Sequence, residues 1–365
     1  MSDVGVFEFS TLENLLYNEA PKSWVLENLL AKGDTSSWFG PPGSLKSAVL
    51  TDIGVSVSAG RDWRGYRFSH NPDPADDSRG VIYFALERAE LTGRRIVAHA
   101  FRDQLPSKLP IAVISEPLDL LDPACVDRVV RTVEEFEKTT GTHIALIIID
   151  TYSKAIAGGD EDKAQTQNLA AMNIQRIHDR LCGCAHIATI GHTGKNPSAG
   201  ERGSNAKLGH VDMAVQISGD KVRTATIVKA NDQPEGLIAS FEMEEVVVCS
   251  KWSDGSDRDP YTVAILAAAT PATEARTASQ RTTGKQTQAL DALARVITTH
   301  GQDGAVHPDY WKGELARDGL IRPEDKNPRA TFARIRKGLS QHIFEEPTGL
   351  VRIKTQPGNT PTCPA

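Results

Sequence analysis

Long apolar runs are missing from this 365-residue chain; none approaches the roughly 20 residues that a membrane-spanning helix needs. The start, Met-Ser-Asp-Val-Gly-Val-Phe-Glu, has no basic cluster and no apolar stretch behind it, so no secretory signal is expected. A cytoplasmic location without membrane contact is the resulting expectation. Cysteine is scarce and odd in number: Cys125, Cys182, Cys184, Cys249 and Cys363. Cys182-Gly-Cys184 lacks the two-residue gap of a zinc knuckle, and buried free thiols are expected instead.

Acid outweighs base, giving a net charge of −6, but the excess is uneven. Residues 276–365 carry about five more bases than acids, which leaves the longer part at about −11. A small basic module on an acidic body points to a nucleic-acid partner. The apolar and charged fractions, 39% and 24%, are those of a globular protein long enough for a large domain and a smaller one.

One stretch organises the rest. Gly40-Pro41-Pro42-Gly43-Ser44-Leu45-Lys46-Ser47, followed by Ala48, fits the spacing of a phosphate-binding P-loop. In such a loop the backbone N–H groups converge on phosphates at a helix N-terminus, where the helix dipole favours negative charge. Lys46 would reach the β- and γ-phosphates of ATP and the Ser47 hydroxyl would hold Mg²⁺. A Gly/Pro turn followed by a chance Lys-Ser pair is the alternative. Context argues against it: Ser36-Ser37-Trp38-Phe39 reads as a strand running into the loop, and Ala48 to Val55 has helical apolar spacing. Leu45 departs from the pattern, standing where a glycine usually precedes the lysine. A side chain there has to turn away from the phosphates, on a backbone expected to avoid positive φ.

Further along, residues 61–80 are rich in Asp, Arg, Pro and Ser and read as an exposed excursion. Val81-Ile82-Tyr83-Phe84-Ala85-Leu86 is the continuous apolar run of a strand buried on both faces. It ends in Glu87, where a carboxylate at the C-terminal edge of a parallel strand borders the ligand crevice. Glu87 is a candidate to orient and polarise an attacking water. It can equally be a helix N-terminal acid complementing the dipole of residues 91–101. Ile111–Ile114 reads as a strand and Pro123–Thr139 as an amphipathic helix. Thr142–Asp150 is the clearest strand, and its closing Asp150 matches the Walker B pattern of a carboxylate reaching Mg²⁺. A helix ending at Leu181 precedes the strand Ala185–Ile190. That strand leads into Gly191-His192-Thr193, whose His192 is placed to hydrogen-bond a γ-phosphate. Residues 194–209 are nearly devoid of apolar side chains and read as a surface or binding loop, with Lys195, Arg202 and Lys207 suited to nucleic-acid phosphates. Two strands, Met213–Ile217 and Val222–Val228, follow.

Beyond an Ala/Thr/Pro/Ser/Gln-rich linker, the chain reads as three amphipathic helices and a hairpin at residues 343–353, the outline of a winged helix. The third helix carries Arg329, Arg334, Arg336 and Lys337 with no acid between Lys326 and Phe344, as a groove-facing recognition helix would. A partner-docking module with a solvated basic face is the alternative. The organisation expected is a lead-in packing on the core over 1–32, an ATPase domain over 33–265, a linker over 266–285, a winged-helix-like domain over 286–356 and a disordered tail over 357–365.

The order of these blocks resembles the RecA-type hexameric ATPases and, within them, the RepA-like replicative helicases, more distantly the DnaB helicases. The resemblance runs over roughly residues 20–250. It rests on Gly40–Ser47, Leu86-Glu87, Ile149-Asp150-Thr151, Gly191-His192-Thr193 with Arg202-Gly203-Ser204, and Lys229–Gly236. It implies an α/β fold, a RecA-like P-loop core with a mainly parallel twisted sheet flanked by helices. It also implies an ATP- and Mg²⁺-dependent DNA translocase or helicase moving on single-stranded DNA in replication, as a homo-oligomer in a hexameric ring with replication proteins as partners. By the same resemblance Glu87 is the catalytic glutamate, His192 the γ-phosphate sensor, 194–209 the single-strand-binding loop, and Lys229 a group reaching a neighbouring subunit's ATP. Asn231 departs from the family, which carries an arginine finger there; either Lys229 or Arg202 then supplies the charge, or hydrolysis is slow. A recombination or loading factor without unwinding, and an ATP-gated DNA-binding switch with little turnover, remain open beside the helicase.

Overall fold

The structure, a computed structural model, describes residues 9–18, 22–70, 77–193, 201, 205–220, 222–249, 256, 258–268, 284–301, 304–322, 327–339, 343–346 and 348–353. The chain divides into two compact units, Met1–Ala269 and Thr270–Ala365.

The first unit begins with α1 (Leu12–Asn18), β1 (Trp24–Leu26), β2 (Leu30–Ala31) and β3 (Thr35–Gly40). Next come α2 (Lys46–Ser58), β4 (Ser78–Ala85), α3 (Ala89–Arg102), β5 (Ile111–Ile114), α4 (Ala124–Thr140) and β6 (His143–Asp150). After them are α5 (Tyr152–Ala155), α6 (Ala164–Arg180), β7 (His186–His192), α7 (Asn205–His210), β8 (Met213–Gly219), β9 (Arg223–Ala230), β10 (Gly236–Phe241), β11 (Met243–Val248) and β12 (Tyr261–Leu266).

Eight strands form one sheet in the order β10-β9-β8-β3-β7-β6-β4-β5. From β8 to β5 all pairings are parallel; β9 and β10 add an antiparallel edge. This is the mainly parallel, helix-flanked sheet expected of a RecA-like core. Strand alternation sorts the side chains to two faces. Val81, Tyr83, Leu146 and Ile148 pack with Val49, Leu50, Ile53 and Val57 of α2 on one face. Ile82, Phe84, Ile147 and Ile149 pack with Val126, Val129 and Val133 of α4 and Ile174 and Ile177 of α6 on the other. The strands therefore read as unbroken apolar runs because helices cover both faces. β11 and β12 pair as a hairpin whose Val248, Val263 and Ile265 cluster with Ala98 of α3.

Several expectations need correcting. Val25, Leu26, Leu29 and Leu30 lie in the core, but α1 does not pack on it: Phe9, Leu12, Leu15, Leu16 and Tyr17 are exposed, Leu12 at 71% and Tyr17 at 82%. The excursion expected over 61–80 is not all surface. Trp63 and Phe68 are buried in the main core, with the Trp63 indole donating to Asp52 at 2.9 Å. Of the thiols expected to be buried, Cys125 is, while Cys182, Cys184 and Cys249 are exposed.

The second unit contains α8 (Gly284–His300), α9 (Pro308–Arg317), α10 (Pro328–Gly338) and the antiparallel pair β13 (Ile343–Glu345) and β14 (Val351–Ile353). Proline at the first turn of α9 and α10 suits positions whose N–H has no helical partner. Asn327 caps α10 by accepting from the Ala330 N–H at 3.1 Å. Leu293, Val296, Trp311, Leu315, Phe332, Ile343 and Val351 form its core. Among the described residues no helix is long and apolar enough to cross a membrane.

Candidate functional site

Four neighbouring parallel strands, β3, β7, β6 and β4, end at the same edge of the sheet, and each delivers one of the motifs. Gly40 stands in register with His192, and Ala85 with Asp150. The ends enclose a cleft lined by Pro42 to Ala48, Glu87, Arg88, Leu91, Thr92, Arg95, Asp150, Thr151, Ile190 and His192. Motifs that would lie from about 130 to about 480 Å apart along an extended chain, at about 3.3 Å per residue, are thus brought together by strand order.

The P-loop turns into α2 through two left-handed residues, Gly43 at φ 75° and Leu45 at φ 73°. The expectation that the backbone at Leu45 avoids positive φ is therefore overturned. Its side chain is half-buried and packs at the rim of the main core, which offsets part of the roughly 1–2 kcal/mol cost of that conformation. Gly40 has no room for more: a Cβ there would lie 2.4 Å from the Ile217 carbonyl oxygen. Lys46 is buried, and its ammonium donates to the carbonyls of Gly40 at 3.0 Å and Pro41 at 2.9 Å. Burial lowers its pKa to about 8 against the opposing pull of Asp150 and Glu87.

Asp150 is buried at the cleft floor. It accepts from the Tyr83 phenol at 2.8 Å, and the Ser47 hydroxyl lies beside it. Burial raises its pKa and the nearby Glu87 charge adds to the rise, while the Ser47 and Tyr83 hydroxyls and Lys46 oppose it. Glu87 is exposed to the cleft; its Oε1 accepts from the Thr151 hydroxyl at 2.9 Å. The Ser47 hydroxyl and the Asp150 carboxylate are hard oxygen donors lining the same cleft, a set that fits Mg²⁺.

Sequence matching shows where this arrangement belongs. The profile of the AAA domain family matches residues 6–198, which spans the P-loop, Glu87, Asp150 and His192. The chain belongs to the AAA domain family. Among curated proteins none matches the sequence. A solved structure titled as the RadB recombinase is similar at a TM-score of 0.42 and 13% identity, covering 58% of this chain and 88% of that one. The family membership gives this RecA-like core the character of a P-loop ATPase.

Not every candidate lies in the cleft. Lys229 is half-buried on β9, and its ammonium donates to the Val211 carbonyl. Asn231 donates through its amide to Asp212 at 3.0 Å. Lys207, expected to meet nucleic-acid phosphates, is instead buried. Its ammonium pairs with Glu201 and sits 3.7 Å from the centre of the Tyr152 ring, satisfied inside the protein and closed to a strand outside. Lys195 and Arg202 lie outside the described residues. On α10, Arg329, Arg334 and Lys337 are exposed, whereas Arg336 is half-buried, paired with Glu345 at 2.5 Å and set over the Phe332 ring.

Sequence reasoning missed Thr151, Tyr83, Arg88 and Arg95. The last pair left a trace: positions 88, 91, 92 and 95 fall on one face of α3, running down from the Glu87 strand end. Thr151 appeared only within the Ile149-Asp150-Thr151 block and Tyr83 only as a strand residue, because their roles depend on β4 lying beside β6.

Proposed function

We propose that this protein hydrolyses Mg²⁺-ATP and uses the cycle to move on single-stranded DNA, as a homo-oligomeric translocase or helicase of replication. The observation that carries the hydrolytic half is the meeting of Lys46, Ser47, Glu87, Asp150 and His192 in one cleft at the ends of adjacent strands. The N–H groups at the start of α2 receive the phosphates, and Lys46 leaves the Gly40 and Pro41 carbonyls for the β- and γ-oxygens. Ser47 and Asp150 would hold Mg²⁺, which would supply charge neutralisation to the phosphate oxygens. Glu87, fixed by Thr151 at Oε1, takes a proton through Oε2 from the water that attacks the γ-phosphorus. His192 donates to the γ-phosphate and reports its loss to the loop that follows β7.

The DNA half rests on the order of sequence blocks and on the exposed bases of α10. A second reading, an ATP-gated DNA-binding switch with little turnover, is favoured by Asn231, which is neutral and tied to Asp212. ATP turnover with and without single-stranded DNA, followed by strand displacement on a forked duplex, decides between them. The translocase reading expects DNA-stimulated turnover that Lys46→Ala abolishes. Tight ATP binding without turnover favours the switch, and stimulated turnover without displacement favours a recombination or loading role.

A further inference from the structure

A P-loop ATPase needs cationic charge on the transferring phosphoryl group beyond its P-loop lysine. The position where the related helicases place an arginine is neutral here, and Asn231 is engaged by Asp212. Lys229 donates to a main-chain carbonyl outside the cleft.

The cleft supplies another cation. Arg95 lies two turns into α3, on the wall facing the P-loop, one helical face with Arg88 and Thr92. Its Nε donates to the Ala264 carbonyl of β12 at 3.3 Å, which fixes the side chain at its base. No other hydrogen bond among the described residues holds its Nη atoms. The guanidinium is half-buried within the field of Asp150, and it stays charged there because an arginine resists deprotonation even when desolvated. Arg88, by contrast, is exposed at the mouth.

We propose that Arg95 is the catalytic cation of this site, supplied in cis: its Nη groups contact the γ-phosphoryl oxygens and stabilise the charge that develops during transfer. The inference rests on the reading of the cleft as an ATP hydrolase. In the step it serves, the water oxygen bonds to the γ-phosphorus and a water proton passes to Glu87. The bond to the β,γ-bridging oxygen breaks, and its electron pair leaves with ADP. A guanidinium fork across two phosphoryl oxygens gives a planar, two-point contact that an ammonium cannot reproduce.

The test uses the full-length protein and the variants Arg95→Gln and Arg95→Lys, reading ATP turnover, the separate affinities for ATP and ADP, and the melting midpoint. Arg95→Gln is expected to lower kcat by about 10²–10³-fold, the effect of removing one preorganised donor from a transition-state site. ATP affinity falls about 10-fold, near the worth of one charge-assisted hydrogen bond, while ADP affinity is unchanged. Arg95→Lys is expected to fall between Gln and wild type. A purely structural role, tying α3 to β12 through Ala264, would lower the melting midpoint and move ATP and ADP affinity together, which overturns the proposal. Wild-type turnover and an unaltered ATP-to-ADP preference in Arg95→Gln also overturn it. If Arg95→Gln does not fold, Arg95→Lys decides alone, since equal turnover to wild type rules out the two-point contact. A wild-type protein that neither binds nor hydrolyses ATP removes the underlying reading; turnover that survives in Arg95→Gln removes this one only.

Discussion

The Thr151 hydroxyl donates to Glu87 Oε1 at 2.9 Å and lies 3.0 Å from the Ser153 hydroxyl. This hydrogen bond bridges the ends of β6 and β4 and restrains the glutamate at the cleft. Thr151→Val keeps the shape and removes the donor. It is expected to lower kcat by roughly 10-fold with little change in KM, since the base remains but is less well oriented. Glu87→Gln is expected to lower kcat by at least about 10²-fold with ATP still bound. Steady-state turnover and nucleotide binding on the two variants check the ordering; equal loss in both would mean that Thr151 acts on the fold and not on Glu87.

Leu45 holds φ 73° at the residue that caps α2, a conformation that suits glycine. Leu45→Ala keeps the backbone cost and gives up the side-chain packing, while Leu45→Gly gives up the packing and removes the cost. The glycine variant is therefore expected to be more stable than the alanine variant by about 1 kcal/mol. Urea denaturation of the two proteins measures it. Because the N–H groups of the loop are main-chain, nucleotide affinity in Leu45→Gly is expected to stay within about 3-fold of wild type, under 1 kcal/mol.

How much of this was legible without coordinates follows from the range of each interaction. β6 and α4 could be read because Ile144–Ile149 is continuous and Val126, Val129, Val130 and Val133 repeat at helical spacing, both local patterns. The motif residues could be placed at strand ends for the same reason. Trp63 and Phe68 could not be placed, because they sit among Asp62, Arg64 and Arg67. Their burial depends on Asp52 of α2 accepting from Trp63, and on Arg64 reaching both Asp52 at 3.4 Å and the Ala267 carbonyl at 2.7 Å. β10 and β11 were not anticipated either; β10 pairs antiparallel with β9 just before it and β11 with β12 just after it. Lys207 looked like a surface base until Glu201, Tyr152 and the fold around them enclosed it.

The exposed apolar side chains of α1 bear on assembly. A seven-residue helix has little stability of its own, so one that presents Leu12, Leu15, Leu16 and Tyr17 to solvent gains most by covering them. If a second copy covers them, Leu12→Glu with Leu16→Glu shifts the mass in solution toward the monomer without lowering the melting midpoint of the core. Light scattering with and without a nucleotide analogue measures this, and unchanged mass assigns the helix to another role.

The bases of α10 are not equivalent. Arg334 and Lys337 are exposed, so replacing both by Ala is expected to weaken single-stranded DNA binding and to flatten its dependence on log salt by about 0.7 for each phosphate no longer neutralised. Arg336 pairs with Glu345 and covers Phe332. Arg336→Ala is thus expected to act mainly on the stability of the second unit and only secondarily on the salt slope. Titrations at three salt concentrations, alongside melting curves, separate the two effects.

His186 offers a pH test away from the cleft. Its ring is fully buried, with Nδ1 2.9 Å from the Ala31 carbonyl and Nε2 2.8 Å from the Ser36 hydroxyl. The carbonyl can only accept, so Nδ1 carries the proton and Nε2 accepts from Ser36, whose oxygen in turn accepts from the Trp38 indole at 2.9 Å. Burial lowers the pKa to about 4; the Ala31 carbonyl opposes the shift, His178 of α6 and Lys22 strengthen it, and Asp212 opposes it. Folded His186 is therefore neutral where the unfolded residue, near 6.5, is already taking up a proton. Stability from this residue is complete above about pH 6.5 and is lost as pH falls toward 4, by about 3 kcal/mol at most. His186→Asn removes the titrating ring, at some cost in stability at neutral pH. Urea denaturation at pH 7.5, 6 and 5 is expected to show wild type losing more stability over that range than the variant, with the two curves converging as the pH drops. Parallel curves would mean that the ring takes up its proton inside the folded protein.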